Sequence, residues 1–165
     1  MKKLKWIVAI LAGAAVLVQF YRPPKNISTT PSANAMALQV AVPPPIQSVL
    51  QRSCNDCHSN NTVYPWYAEI QPLGWWLNKH IQDGKRGLNF DEFKSYRLMK
   101  QYRRFNDVVE QIKNDKMPLP SYLIIHTYAK LSAEEKDALV QWCGAMRDSM
   151  KAKYPVDSLE RRPRK

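Results

Sequence analysis

Glycine is scarce in this chain of 165 residues: there are five, against twelve prolines. That balance excludes a floppy, glycine-rich polypeptide and points to stiff connections and punctuated helices. Acidic charge is also sparse. Fourteen Asp and Glu face 25 Lys and Arg, a formal net charge of +11. The imbalance sits at the ends. Residues 1–25 hold Lys2, Lys3, Lys5, Arg22 and Lys25 and no acid. Residues 151–165 hold six basic residues against Asp157 and Glu160. Residues 26–150 are therefore close to neutral, and a nucleic-acid partner is not expected. No run of alternating apolar and polar residues suggests strands, and no internal repeat is visible. The expected class is all-α, a small domain of about four or five helices. Cysteine is limited to Cys54, Cys57 and Cys143, with no second compact Cys/His pair.

The N-terminus reads as a targeting segment. Three lysines precede an apolar run from Trp6 to Val18, and Phe20-Tyr21-Arg22 form an interfacial flank. An uncleaved anchor is preferred over a removed signal peptide. The lysines would keep the N-terminal side cytoplasmic and carry residues 26–165 across the membrane. The expected layout is an anchor or signal at 1–21, a Pro-rich linker at 22–45, a folded domain at 46–150 and a basic tail at 151–165. The linker is expected to be extended and poorly packed, and the tail mobile.

Within the domain, Ile46, Val49, Leu50 and Ser53 keep helical spacing up to Cys54. Residues 55–72 read mostly as loop. Leu73–Asp83 reads as a helix ended by Gly84 and Gly87. Asn89 and Glu92 resemble a capping box that opens a long helical stretch. In that stretch Leu98, Tyr102, Phe105, Val109 and Ile112 share one face, and Lys94, Arg97, Lys100 and Arg104 form a second stripe. The stripe reads as a solvated face, or else as a docking surface for an acidic partner. Lys116 to Pro120 must break helix. Ser132 and Glu135 open a last helix through Leu139, Trp142, Cys143 and Met146, on which Cys143 reads as a small buried hydrophobe.

The chemistry lies in Cys54-Asn55-Asp56-Cys57-His58, a Cys-x-x-Cys-His pattern that reads as a c-type haem attachment site. Each thiol adds to one vinyl group of the porphyrin, and the next residue places its imidazole beneath the iron. A disulfide across Cys54 and Cys57 is the plain alternative. A thioredoxin-like pair lacks its βαβ context, and a zinc site lacks further ligands.

Separated blocks then match a known pattern in order: His58-Ser59-Asn60-Asn61-Thr62, Tyr64-Pro65-Trp66-Tyr67, Trp75-Trp76, His80-Ile81, Leu88-Asn89-Phe90, Met117-Pro118-Leu119, Tyr122, His126 and Leu131-Ser132. Over about residues 45–145 the chain resembles the haem-binding domain family of small exported bacterial proteins. The resemblance implies a cytochrome c-like role with one covalent haem c. His58 is the expected proximal ligand.

Met117 is the expected distal ligand. It lies beside Pro118 after a helix, similar to the methionine loop of class I cytochromes c, and a thioether favours ferrous iron. His80 and His126 are its rivals. Tyr64, Trp66, Tyr67, Trp75 and Trp76 could wall the cofactor, but only one of the two adjacent tryptophans is expected to touch it. The expected function is electron transfer without enzymatic activity, on the periplasmic side of the inner membrane, with a redox partner protein. The rivals are a peroxidase-like enzyme or sensor with an open sixth position, and a zinc- or disulfide-stabilised interaction module.

Overall fold

A computed structural model describes residues 1–160 and is all-helical, with no strand among them. The eight α-helices are α1 (Lys2–Leu17), α2 (Pro44–Ser53), α3 (Asn55–His58), α4 (Leu73–Gly87), α5 (Leu98–Lys113), α6 (Pro120–Leu123), α7 (Ala133–Lys153) and α8 (Val156–Leu159). Three of these, α3, α6 and α8, are single turns of four residues. Single turns carry too little periodicity to be read from sequence, so the expected four or five helices correspond to the longer elements.

The core pair is α5 and α7, which make the most extensive helix contact. On α5 the apolar stripe works as its spacing requires: Tyr102, Phe105 and Ile112 are buried, and Leu98 and Val109 pack at its margin. Helix α7 answers with Leu139, Trp142, Cys143 and Met150. Phe105 meets Trp142 edge to face, with ring centroids 5.6 Å apart, a favoured aromatic geometry. Helix α7 starts where its cap dictates. The Ser132 hydroxyl accepts from the Glu135 amide, and the Glu135 carboxylate accepts from the Ser132 amide.

Four sequence expectations change. Helix α4 does not stop at Gly84 but runs to Gly87. Asn89 does cap, accepting from the Asp91 amide, but it opens a 3-10 turn over Phe90–Ser95 rather than the long helix, which starts at Leu98. The basic tail is not mobile at its start: α8 folds against α5 and buries Leu159. The remainder of that tail, 161–165, lies outside the described residues. Lastly, the proline-rich segment 22–45 is not a free linker: it holds a 3-10 turn at Met36–Leu38, α2 begins at its Pro44, and it is pinned to the domain at several points. Asn26 and Met36 are buried, the Asn34 carbonyl accepts from the Lys94 amide, and the Ala41 carbonyl accepts from the Trp142 indole. Prolines fixed its shape, while its few apolar and amide side chains found partners across the domain surface.

The apolar interior is divided. The larger cluster joins α2, α5, α7 and α8. A smaller one, Tyr67, Leu77 and Ile81, joins the 3-10 turn Trp66–Glu69 to α4. Cys54 packs against the larger cluster and Cys57 against the smaller. The Cys-x-x-Cys-His segment therefore lies at the seam between two cores.

Candidate functional site

A cavity of about 390 Å³ opens at that seam. Its size falls within the roughly 300–1,000 Å³ that a bound organic cofactor or ligand requires. Leu50, Leu77, Leu88, Phe90, Phe93, Phe105, Ile112, Leu139 and Trp142 give it a chiefly apolar wall. Cys54, Cys57, His58 and Met117 all line it. Residues 59 positions apart in sequence, His58 and Met117, are thus brought to one space.

The pentapeptide is held as a single helical turn. The Cys54 carbonyl accepts from the amides of both Cys57 and His58. The turn lies against α4 at Gly84, a position where a side chain has no room. A Cβ there would come within 2.6 Å of the Cys57 carbonyl oxygen and 3.2 Å of its Cβ. Gly84→Ala is therefore expected to force α3 off α4, an overpacking cost of about 1–3 kcal/mol. The check is thermal unfolding followed by circular dichroism, where a fall of several degrees is expected. An unchanged midpoint would mean the two helices separate freely.

His58 is oriented by its second nitrogen. Its Nδ1 lies 2.8 Å from the Leu88 carbonyl, which fixes Nδ1 as the donor and leaves Nε2 with its lone pair free. Burial holds the imidazole below its ordinary pKa, although the backbone of Leu88 and of Gly84 opposes the shift. A neutral ring is the form that can donate to a metal. The residues that place Leu88 are polar. Asn89 donates to the Asn60 side chain at 2.8 Å, and the Asn60 amide donates to Asp91 at 2.7 Å. Asn89 and Asn60 thus tie the turn after α4 to the loop after His58.

The cysteines have no disulfide partner. Burial pushes the Cys54 thiol up to about 12, with Cys57 adding to the shift, and pushes Cys57 up to about 11, with Asp56 adding. A redox-active thiol pair needs a lowered pKa, so this arrangement opposes the thioredoxin-like reading. Among the described residues no group of three or more His, Cys, Asp or Glu side chains is gathered to hold a metal ion, which removes the ligand set that a zinc module would need.

The two histidine rivals differ. His80 lines the cavity, with its ring set edge-on to Trp76 at 4.4 Å. His126 does not line it. Its Nε2 shares a hydrogen bond with the Tyr67 hydroxyl and its Nδ1 one with Tyr128, both at 2.9 Å. It also stacks on Tyr122 at 4.0 Å. Both nitrogens of His126 are used, so it offers no lone pair to a cofactor. Its network has another effect. The Tyr122 hydroxyl donates to the Asp56 carboxylate at 2.8 Å, and Asp56 stands between the two cysteines. The segment that carries Met117 is braced onto the pentapeptide.

Of the five aromatic residues expected to wall the cofactor, Trp76 lines the cavity. Trp75 turns away, donating from Nε1 to the Tyr21 carbonyl at 2.8 Å, so the adjacent pair splits as two successive helical positions must. Tyr64 and Tyr67 pack behind Cys57, and Trp66 is exposed. Among the lining residues not foreseen, two bear on the chemistry. Met36, from the proline-rich segment, brings a second thioether. Arg104 departs from the solvated stripe and lines the cavity, with NH1 paired to Asp107 at 2.6 Å and its buried Nε unpartnered. Nothing in a one-dimensional charge stripe distinguishes Arg104 from Lys100. The difference is that position 104 precedes buried Phe105 on the turn nearest the cavity.

Compared with known proteins, residues 13–145 match the family model described as haem-binding domain. No curated protein and no solved structure matches.

Proposed function

The chain belongs to the haem-binding domain family, and from that premise we propose that it is a c-type cytochrome with one covalent haem that carries electrons at the outer face of a membrane. One observation carries the reading: Cys54, Cys57, His58 and Met117 all line one apolar cavity, while His58 uses Nδ1 on the Leu88 carbonyl. The donor set fits the group. Two thiols separated by two residues match the two vinyl positions of a porphyrin edge, and an imidazole with a thioether matches a six-coordinate iron. When bound, haem supplies an iron that alternates between ferric and ferrous states.

The protein's own residues have separate tasks. Cys54 and Cys57 would hold the macrocycle, one against each core. Leu88, through Nδ1, keeps the His58 ring from rotating and maintains it as the neutral donor. The Tyr122–Asp56 bond keeps the Met117 segment at a fixed place relative to the pentapeptide, which limits rearrangement between oxidation states. Phe90, Phe93, Phe105 and Trp142 exclude water from the apolar faces. Arg104 lines the wall as an ion pair with Asp107, which lines it too, and its unpartnered Nε is the donor left for a propionate carboxylate.

The N-terminal helix supports a location at the membrane. Lys2–Phe20 is long and apolar enough to span, with mean hydropathy 1.7 and no buried residue. At 1.5 Å per residue its 19 residues reach about 28 Å, near the roughly 30 Å apolar layer.

The test is the full chain produced together with the haem-maturation machinery. Peptide mass spectrometry is expected to find residues 54–58 carrying haem, and the reduced protein is expected to bind no carbon monoxide. An unmodified peptide overturns the c-type reading. Carbon monoxide binding with haem attached replaces the electron carrier by an enzyme or sensor with an open sixth position.

A further inference from the structure

The structure joins the apolar helix to the domain with a clamp rather than a tether, and next to the clamp it exposes an apolar face. Gln19, at the end of the apolar helix, makes a reciprocal pair with Gln71. Its Nε2 donates to the Gln71 carbonyl at 3.0 Å, and its Oε1 accepts from the Gln71 amide at 2.9 Å. Tyr21 packs edge-on to Trp75 at 5.8 Å and accepts from its indole. Arg22 and Lys25 both bind Glu69 at 2.6 Å. Asn26 is then buried, donating to the Ser59 carbonyl and the Thr62 hydroxyl. Every few residues from 19 to 26 a contact fixes the chain to residues 59–75. The start of α4 is therefore held at the level where the apolar helix ends.

The surface at that level carries little charge. From Val63 to Asn78 the sequence has one charged residue, Glu69, and that one is neutralised by Arg22 and Lys25. Trp66 is 72% exposed, Leu73 46% and Ile70 45%. These side chains lie within five residues of Gln71, the position bonded to the helix end. Isolated exposed apolar residues are ordinary, but a contiguous group of them is not. Tryptophan, with an apolar ring and one polar N–H, favours the level of lipid headgroups.

We infer that the face formed by Trp66, Ile70 and Leu73 is seated in the headgroup layer of the bilayer that α1 spans, so that the domain lies on the membrane instead of hanging from a linker. The inference rests on the anchor reading above, and the position of the clamp selects a lipid surface as occupant. A face fixed at the exit point of a spanning helix meets lipid before it can meet any soluble partner. The stripe Leu73, Trp76, His80, spaced three and four residues apart, continues from this face along α4 to the cavity wall. The haem pocket would thus open beside the membrane surface.

The test uses the full-length, haem-loaded chain in vesicles of phosphatidylethanolamine and phosphatidylglycerol that contain a photoactivatable phospholipid with its reactive group near the headgroup. Mass spectrometry maps the lipid adducts. Adducts are expected on residues 63–76, and none on α5. The W66D/L73D variant is expected to lose the adducts on 63–76 and to keep those at the ends of α1, with an unchanged visible spectrum showing that the pocket is intact. Adducts confined to α1 in the wild type overturn the seated face but leave the anchor. Adducts nowhere in the chain overturn the anchor and the seated face together. Haem content, read separately, reports on neither.

Discussion

A protein in which both Cys54 and Cys57 are replaced by serine is expected to lose all colour from its denatured band. The thioethers are the sole covalent links in the proposal, so haem-stained gels and acid–solvent extraction both read the loss directly. A single replacement should retain colour with reduced yield, because one thioether still holds the ring. The effect on the fold should also be large. The two cysteines belong to different apolar clusters, and a macrocycle joined to both completes an interior that is otherwise divided. An apolar cavity of about 390 Å³ left without its ring forfeits contacts in a domain of a size whose whole stability is only about 5–15 kcal/mol. The double variant should therefore melt lower and less cooperatively than the holoprotein, as calorimetry would show. A buried serine hydroxyl carries its own desolvation cost, so the haem-free wild-type chain is the reference that isolates the missing ring. A denatured band that stays red in the double variant would end the covalent reading, whatever the family.

The sequence made some of this plain and hid the rest for physical reasons. The spacing Leu98, Tyr102, Phe105, Val109, Ile112 and the Ser132–Glu135 cap are local patterns, and they locate α5 and α7 without any knowledge of the tertiary fold. The pentapeptide is likewise local, since two thiols and an imidazole must be close in sequence to meet one ring edge. What the sequence concealed depends on distant contacts. Gly84 has the look of a helix terminator, because a missing side chain permits a turn as readily as a close approach. Only the nearness of Cys57 identifies it as the second. The prolines of 22–45 announce an extended chain, which holds outside the 3-10 turn at Met36–Leu38 and the start of α2 at Pro44. They carry no information on whether such a chain is solvated or laid over the domain, which is decided by Asn26 and Met36 finding buried places. Met117 is the expected ligand on paper and His126 a rival. They separate once the tyrosines around His126 are seen to take both its nitrogens.

Two methionines now line the cavity, and they can be told apart. Met36 is buried within the larger core cluster, in a 3-10 turn whose first carbonyl accepts from the amides of Gln39 and Val40. Its surroundings are those of a packing residue. Met117 is half-buried, stands in a segment with no helical ladder, and is braced to the pentapeptide through Tyr122 and Asp56. A ligand needs a fixed address relative to the iron more than it needs deep burial, and Met117 has it. Met117→Ala is expected to abolish the sulfur-to-iron charge-transfer absorption of the ferric protein and to open the sixth position to carbon monoxide. It should also lower the reduction potential by ~100 mV or more, a modest part of the roughly 0.8 V that axial ligation spans, because a thioether favours the ferrous state. Met36→Ala should leave band and potential in place and instead destabilise the fold by about 2–5 kcal/mol, the usual cost of emptying a buried methionine site. Redox titration beside thermal unfolding separates the two. Exchanged outcomes, with the band lost in the Met36 variant and kept in the Met117 variant, would transfer the axial role to the proline-rich segment and leave Met117 as part of the wall.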